Sequence, residues 1–191
     1  MKDHFSALGF SPCLVLDLET VEEAWREATR EHAGDSGEEP KSPSSDDPLA
    51  DIHEARAVLS DPVKRLSHWL ALRGISPSRA TTMDSEMMNL FGSLGEILAK
   101  TDEFLTRHAA ASSALAKALL TKEAIAVQLE LQEQMQQVQA QKQTALGRFP
   151  ELESLASRNE FEAATSTLQQ LQFLTKWEAQ CQERLLSLLA C

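Results

Sequence analysis

Apolar residues recur at intervals of three and four along most of this chain, and no stretch alternates as a half-buried strand would. The clearest run comes last. Phe161, Ala164, Leu168, Leu171, Leu174, Trp177, Cys181, Leu185 and Leu188 make one stripe of a long helix. Asn159, just ahead of it, is the expected N-cap. Further upstream, Met87, Leu90, Phe91, Leu94, Leu98 and Leu105 place an apolar face on a helix over 83–108. The segment 109–147 carries Leu115, Leu119, Ile125, Leu129, Met135, Val138 and Leu146 at looser spacing. Its Gln-rich part, 128–143, is made of good helix formers, and the Leu and Met within it favour a solvated helix over a low-complexity tract. Phe149-Pro150 marks a break before the last helix.

The N-terminal part has shorter elements. Residues 3–8 predict a short helix or turn. Residues 18–33 predict a helix opened by Asp17 or Thr20, with Val21, Ala24, Trp25 and Ala28 on its apolar face. Ile52, Ala55, Val58 and Leu59 define a third helix, and Ser60-Asp61-Pro62 starts a fourth with Pro in its first turn. The fourth carries Val63, Leu66, Trp69, Leu70 and Leu72 and stops at Gly74, and 75–82 form a linker. Between the second and third helices, residues 34–48 read GDSGEEPKSPSSDDP. With no large apolar residue they cannot offset their ordering entropy, which predicts a mobile loop. The expected fold is all-α: a small helical unit over 1–75, then three long antiparallel helices over 83–191.

Composition narrows the function classes. The chain has 191 residues, enough for one domain or two small ones. No apolar run reaches the ~18 residues of a membrane span. Met1-Lys2-Asp3-His4-Phe5 leads directly into a folding pattern without a signal-peptide core, so a cytoplasmic location is expected. A net charge of −11 argues against non-specific binding to nucleic acid or an anionic membrane. Cys13, Cys181 and Cys191 form no CxxC pair, which argues against a disulfide framework or a metal centre built by this chain alone. His4, His32, His53, His68 and His108 are scattered, and His68 is expected to be a surface or half-buried structural residue. The acids Glu38, Glu39, Asp46 and Asp47 lack calcium-loop spacing. No phosphate-binding loop or nucleophile constellation is present, so neither catalysis nor a cofactor is expected.

Several segments, in order, resemble one family. Phe5-Ser6-Ala7-Leu8-Gly9 resembles the aromatic-x-x-Leu-Gly opening of J-domains, and Ala24-Trp25-Arg26 resembles the Ala-Tyr-Arg of their second helix. The run from Ile52 to Pro62 resembles Ile-Asn-Glu-Ala-Tyr-x-x-Leu-x-Asp-Pro of the third helix. The run from Arg65 to Gly74 resembles the ending found in HscB-type co-chaperones. Phe161-Glu162-Ala163-Ala164, followed by Leu171 to Lys176, resembles the signature of the HscB C-terminal helix. The resemblance covers most of the chain. It implies an L-shaped molecule, a J-domain joined to a three-helix bundle. It also implies a non-enzymatic adaptor for iron–sulfur cluster assembly, which delivers an IscU-type scaffold protein to an Hsp70 and stimulates ATP hydrolysis by that Hsp70.

The departures matter as much as the matches. The His-Pro-Asp loop of the family falls on Ala33, Gly34 and Asp35, so only the aspartate survives. Gly in place of Pro loosens a backbone that should be preset. The second helix, basic in J-domains, here has Glu19, Glu22, Glu23, Glu27 and Glu31 against Arg26 and Arg30. Like charges oppose docking on an acidic Hsp70 groove. Hsp70 stimulation is therefore expected to be lost or weak, with the J-fold kept as a packing module. Added length between 99 and 147 is expected as extra turns on two neighbouring helices. The family's client-binding patch falls on Met87, Met88, Phe91 and Phe173, or in another register on Ile125 to Leu129; the structural alternative is that these residues are core. A second function class also stands: a helical structural or regulatory protein that self-associates or binds a different partner. The oligomeric state is left open.

Overall fold

The computed structural model describes residues 2–35, 48–76 and 85–190, with side chains at 2–32, 48–76 and 85–190. It is helical, with no strand among the described residues, in keeping with the all-α expectation. The helices are α1 (His4–Ala7), α2 (Leu18–Asp35), α3 (Pro48–Leu59), α4 (Pro62–Ala71), α5 (Ser85–Ala110), α6 (Ala114–Gly147), α7 (Phe149–Ala156) and α8 (Glu162–Leu189). Among the described residues, no helix is long and apolar enough to cross a membrane. The chain divides into two compact units. Unit 1 holds 1–79 and 146–168; unit 2 holds 80–145 and 169–191.

Unit 1 is built around α3, which packs against α1, α2 and α4. Carboxylate caps set its helix starts, satisfying amides that the first turn leaves without partners. The Asp3 carboxylate accepts from the Phe5 amide at 3.0 Å and the Ser6 hydroxyl at 2.7 Å. Asp61 accepts from the Val63 and Lys64 amides at 2.8 and 3.2 Å. Asp17 opens α2 by accepting from the Thr20 amide at 3.4 Å, which places Thr20 inside the helix. Gly74, at φ 72°, ends the α4 segment in the left-handed region, and the Ile75 amide donates back to Leu70 O at 3.1 Å. Phe5, Leu14, Leu59, Leu66, Trp69 and Leu70 are at most 1% exposed and fill the core. Arg73 lies over the Trp69 ring at 3.8 Å, and Phe161 meets that ring edge-on at 6.2 Å.

Four sequence expectations in unit 1 need correction. The segment 34–48 is not wholly loop, because α2 continues through Gly34 and Asp35 and Pro48 opens α3; residues 36–47 lie outside the described residues. His68 is buried, at 8% exposure, because α4 turns its His68, Trp69 and Leu70 face inward. Its Nε2 accepts from the His4 amide at 3.1 Å. Burial, with His4 beside it, pushes the imidazole below its ordinary pKa, and the Asp3 carboxylate at 3.8 Å only partly opposes this. The Phe149-Pro150 pair starts a helix where a break was expected, since Pro lacks an amide that a first turn leaves unpaired in any case. The far end of that helix uses Asn159, at φ 64°, as a left-handed C-terminal residue; the Glu160 amide reaches Leu155 O at 3.1 Å. Asn159 therefore closes α7 and is not the N-cap of α8.

In unit 2 the core joins α5, α6 and α8. It holds Met87, Leu90, Leu94, Ile97 and Phe104, then Val127, Leu131 and Val138, then Leu174, Trp177, Cys181 and Leu188. The α8 stripe is as the spacing predicts. In α5, by contrast, Ile97 and Phe104 take core positions and Leu98 and Leu105 are only partly buried. On α6, four of the apolar residues picked out by its looser spacing, Leu115, Leu119, Ile125 and Leu129, are 72, 75, 54 and 61% exposed, as a solvated helix allows. A helix against two partners on one side can bury a single face, and Val127, Leu131 and Val138 already occupy it. Antiparallel α5 and α6 are tied by Lys100–Glu130 at 2.6 Å and Ser93–Gln134 at 2.9 Å, and Arg107 pairs with Glu123.

Candidate functional site

The packing of α5 and α8 leaves one aromatic cluster open to solvent. On α5, Met87, Leu90, Leu94 and Ile97 follow the helical repeat into the core. Met88 and Phe91 lie about a hundred degrees around the helix from Met87 and Leu90, and are 54 and 52% exposed. On α8, Trp177 belongs to the buried stripe, at 5% exposure, while Phe173 packs against the core at its margin.

The two phenylalanines flank this tryptophan. The Phe91 ring centre is 5.6 Å from that of Trp177, tilted by 35°, and the Phe173 ring is 6.2 Å away, tilted by 37°. Aromatic contacts at this spacing fix ring orientation and contribute about 0.5–1.5 kcal/mol beyond area burial. Beside Trp177, Glu178 is held by Lys142 at 2.8 Å and by the Gln139 amide at 3.1 Å. The Lys142 hydrogen bond keeps the Glu178 carboxyl below its usual pKa, so the glutamate is ionised and the α6–α8 contact is pinned near the cluster. The result is an exposed, braced apolar surface without catalytic groups. Among the described residues no group of three or more metal-binding side chains converges.

The structure thus separates the four residues named for a client-binding patch. Phe91 and Phe173 come together over Trp177, and Met88 lies three residues before Phe91 on the exposed side of α5. Met87, at 4% exposure, is core. In the other register, Ile125 and Leu129 are exposed on α6 while Leu131 is buried. Sequence reasoning missed Trp177 as the floor of the patch. It was assigned only to the α8 stripe, and its spacing from Phe173 (four residues, one helical turn) was the signal that the two share a face.

Ala33, Gly34 and Asp35 fall at the C-terminal end of α2, and their side chains lie outside the described residues. The exposed side of α2 before them carries Glu19, Glu23, Glu27 and Glu31 with Arg26 and Arg30. Glu22 turns toward α3, where it pairs with Arg56 at 2.7 Å, and Arg56 also covers the Trp25 ring at 4.4 Å.

No family model and no curated protein matches the chain in sequence. Solved structures match it in fold. The chain is similar to the chaperone HscB from Vibrio cholerae, with a TM-score of 0.57 and 18% identity, over 95% of this chain and 96% of that one. It is also similar to the human co-chaperone protein HscB, with a TM-score of 0.58 and 18% identity, over 96% of this chain and 82% of that one.

Proposed function

We propose that this chain, whose fold is that of HscB co-chaperones, is a non-enzymatic adaptor that holds a client protein on unit 2 and stimulates an Hsp70 weakly or not at all. The observation that carries the first half is the exposed Phe91, seated with Phe173 on Trp177 and accompanied by exposed Met88. Rigid aromatic anchors on a braced surface are the residues that dominate protein–protein affinity. The client favoured by the family resemblance is an iron–sulfur scaffold protein of the IscU type.

The second half follows from α2. Electrostatic complementarity governs encounter, and four exposed glutamates outnumber two arginines on this helix. The trigger motif is reduced to Asp35.

Two measurements test the proposal. ATP hydrolysis by the Hsp70 of the same cell, with and without this protein, is expected to rise less than about twofold, under ~0.5 kcal/mol on the barrier. Stimulation on the order of tenfold would overturn the reading of α2. Calorimetric titration with the scaffold protein is expected to show binding that Phe91→Ala and Phe173→Ala each weaken at least about tenfold. No binding, or binding unchanged in both variants, would remove the client surface.

A further inference from the structure

The outer side of α6 carries a second apolar surface, on a different helix from the aromatic cluster. Its residues are Leu115, Ala118, Leu119, Ile125, Ala126 and Leu129, all exposed, with exposed Lys122 among them. They lie opposite Val127, Leu131 and Val138, the face α6 buries. A stripe of four large aliphatic side chains, each more than half exposed, exceeds the scattered apolar residues of an ordinary surface.

The spacing of the stripe is symmetric about Lys122. Ile125 and Leu119 stand three residues to either side, Ala126 and Ala118 four, and Leu129 and Leu115 seven. Reversing the direction of the helix therefore reproduces the same pattern. A surface that is its own complement under a two-fold rotation is what an isologous dimer requires. We infer that this stripe binds a second copy of the chain, its α6 antiparallel to the first about a two-fold axis at Lys122. Leu115 then meets Leu129 of the other copy, Leu119 meets Ile125, and Ala118 meets Ala126, where two small residues let the backbones approach. Residues 115, 118, 122, 125 and 129 alternate three and four apart, as along a coiled-coil seam, with Leu119 and Ala126 beside it.

Charge near the stripe permits a second copy although each chain carries a net −11. Two of the carboxylates beside the stripe, Glu123 and Glu130, pair within the chain with Arg107 and Lys100 of α5, while exposed Glu133 lies one turn beyond Leu129, past the paired residues. The two Lys122 ammoniums meet near the axis, with long stems that can carry the charges outward. A lone lysine in such a seam costs affinity and singles out one register. Stable interfaces need about 800 Å² per partner, and four turns of one helix offer less than that. The dimer is accordingly weak, with a dissociation constant on the order of 10–100 μM, and salt strengthens it by screening the acidic chains.

Sedimentation equilibrium of the full chain from about 1 to about 500 μM tests this against mass action. The expected result is a reversible monomer–dimer equilibrium, at least about tenfold tighter in Lys122→Leu and abolished in Leu119→Glu with unchanged helical circular dichroism. Register is tested by mild oxidation, with the native chain as background for its own cysteines. Lys122→Cys should cross-link to itself, and Leu115→Cys should cross-link to Leu129→Cys. Leu115→Cys alone should not self-link, because its two copies stand about 21 Å apart along the helices. A monomer at about 500 μM, a dimer that survives Leu119→Glu, or self-linking of Leu115→Cys as fast as that of Lys122→Cys would each overturn the inference.

Discussion

The two units treat their apolar residues differently. Among the described residues of unit 1, Val15 and Leu18 are the large hydrophobics more than half exposed. Unit 2 leaves Met88, Phe91, Leu115, Leu119, Ile125, Leu129, Leu186 and Leu189 in that state. Unit 1 uses its short helices to enclose Trp69, Phe5 and Leu66, and its surface, α2 above all, is charged. Unit 2 has longer helices with more apolar residues than its core can take. On the proposed function, the contrast separates a packing module from a binding module, since exposed apolar area is where a partner gains most from excluding water.

Mutations can break this contrast. The largest expected effect is in unit 1, where Trp69→Ala leaves a large cavity under Arg73 and Phe161 and should cost about 3–5 kcal/mol in urea unfolding. A cost near 1 kcal/mol would mean that unit 1 is less tightly packed than its burial indicates. Asp61→Ala removes the cap that holds the Val63 and Lys64 amides, with an expected loss of about 1 kcal/mol. In unit 2, Phe91→Ala should cost less than about 1 kcal/mol while weakening client binding, so function and stability separate there. A stability loss like that of Trp69→Ala would return Phe91 to the core and end the contrast.

The smallest expected effect is a pH dependence of unit 1. Burial first, and His4 second, lower the pKa of folded His68 below its ordinary 6.5. As pH falls through that ordinary value the unfolded chain takes up the proton first. Stability is therefore full above it and declines until the folded ring also titrates. Protonation also removes the Nε2 acceptor for the His4 amide, which loosens α1. The urea midpoint should fall modestly between about pH 8 and pH 5, and less so in His68→Gln. A native midpoint flat across that range would show that folding leaves the proton affinity of His68 unchanged and would sink this prediction.

Much of the fold was legible because local rules and packing agree there. Along the α8 stripe, Ala164 and Leu168 in unit 1 and Leu171, Leu174, Trp177, Cys181 and Leu188 in unit 2 are buried as the spacing predicts, since α8 offers a single unbroken apolar face. Asp61-Pro62 and Gly74 mark helix ends through backbone chemistry that needs no tertiary context. The candidate site was half legible. Phe91 and Phe173 were named from motif resemblance, but which of Met87 and Met88 faces solvent depends on the rotation of α5 against its neighbours, and so does the role of Trp177.

The limits of local reasoning show most clearly at Asn159 and along α6. An asparagine serves as N-cap or as left-handed C-terminal residue with equal local ease, and only the helix formed by Phe149-Pro150 before it decides for the second. On α6, two apolar faces satisfy the same helical periodicity, and periodicity cannot rank them. The sequence alone determined that the chain is helical and where most helices begin and end. Tertiary structure decided which of them the core takes. Burial is a competition for a limited contact area, and on α6 Val127, Leu131 and Val138 won it while Leu115, Leu119, Ile125 and Leu129 were left facing water.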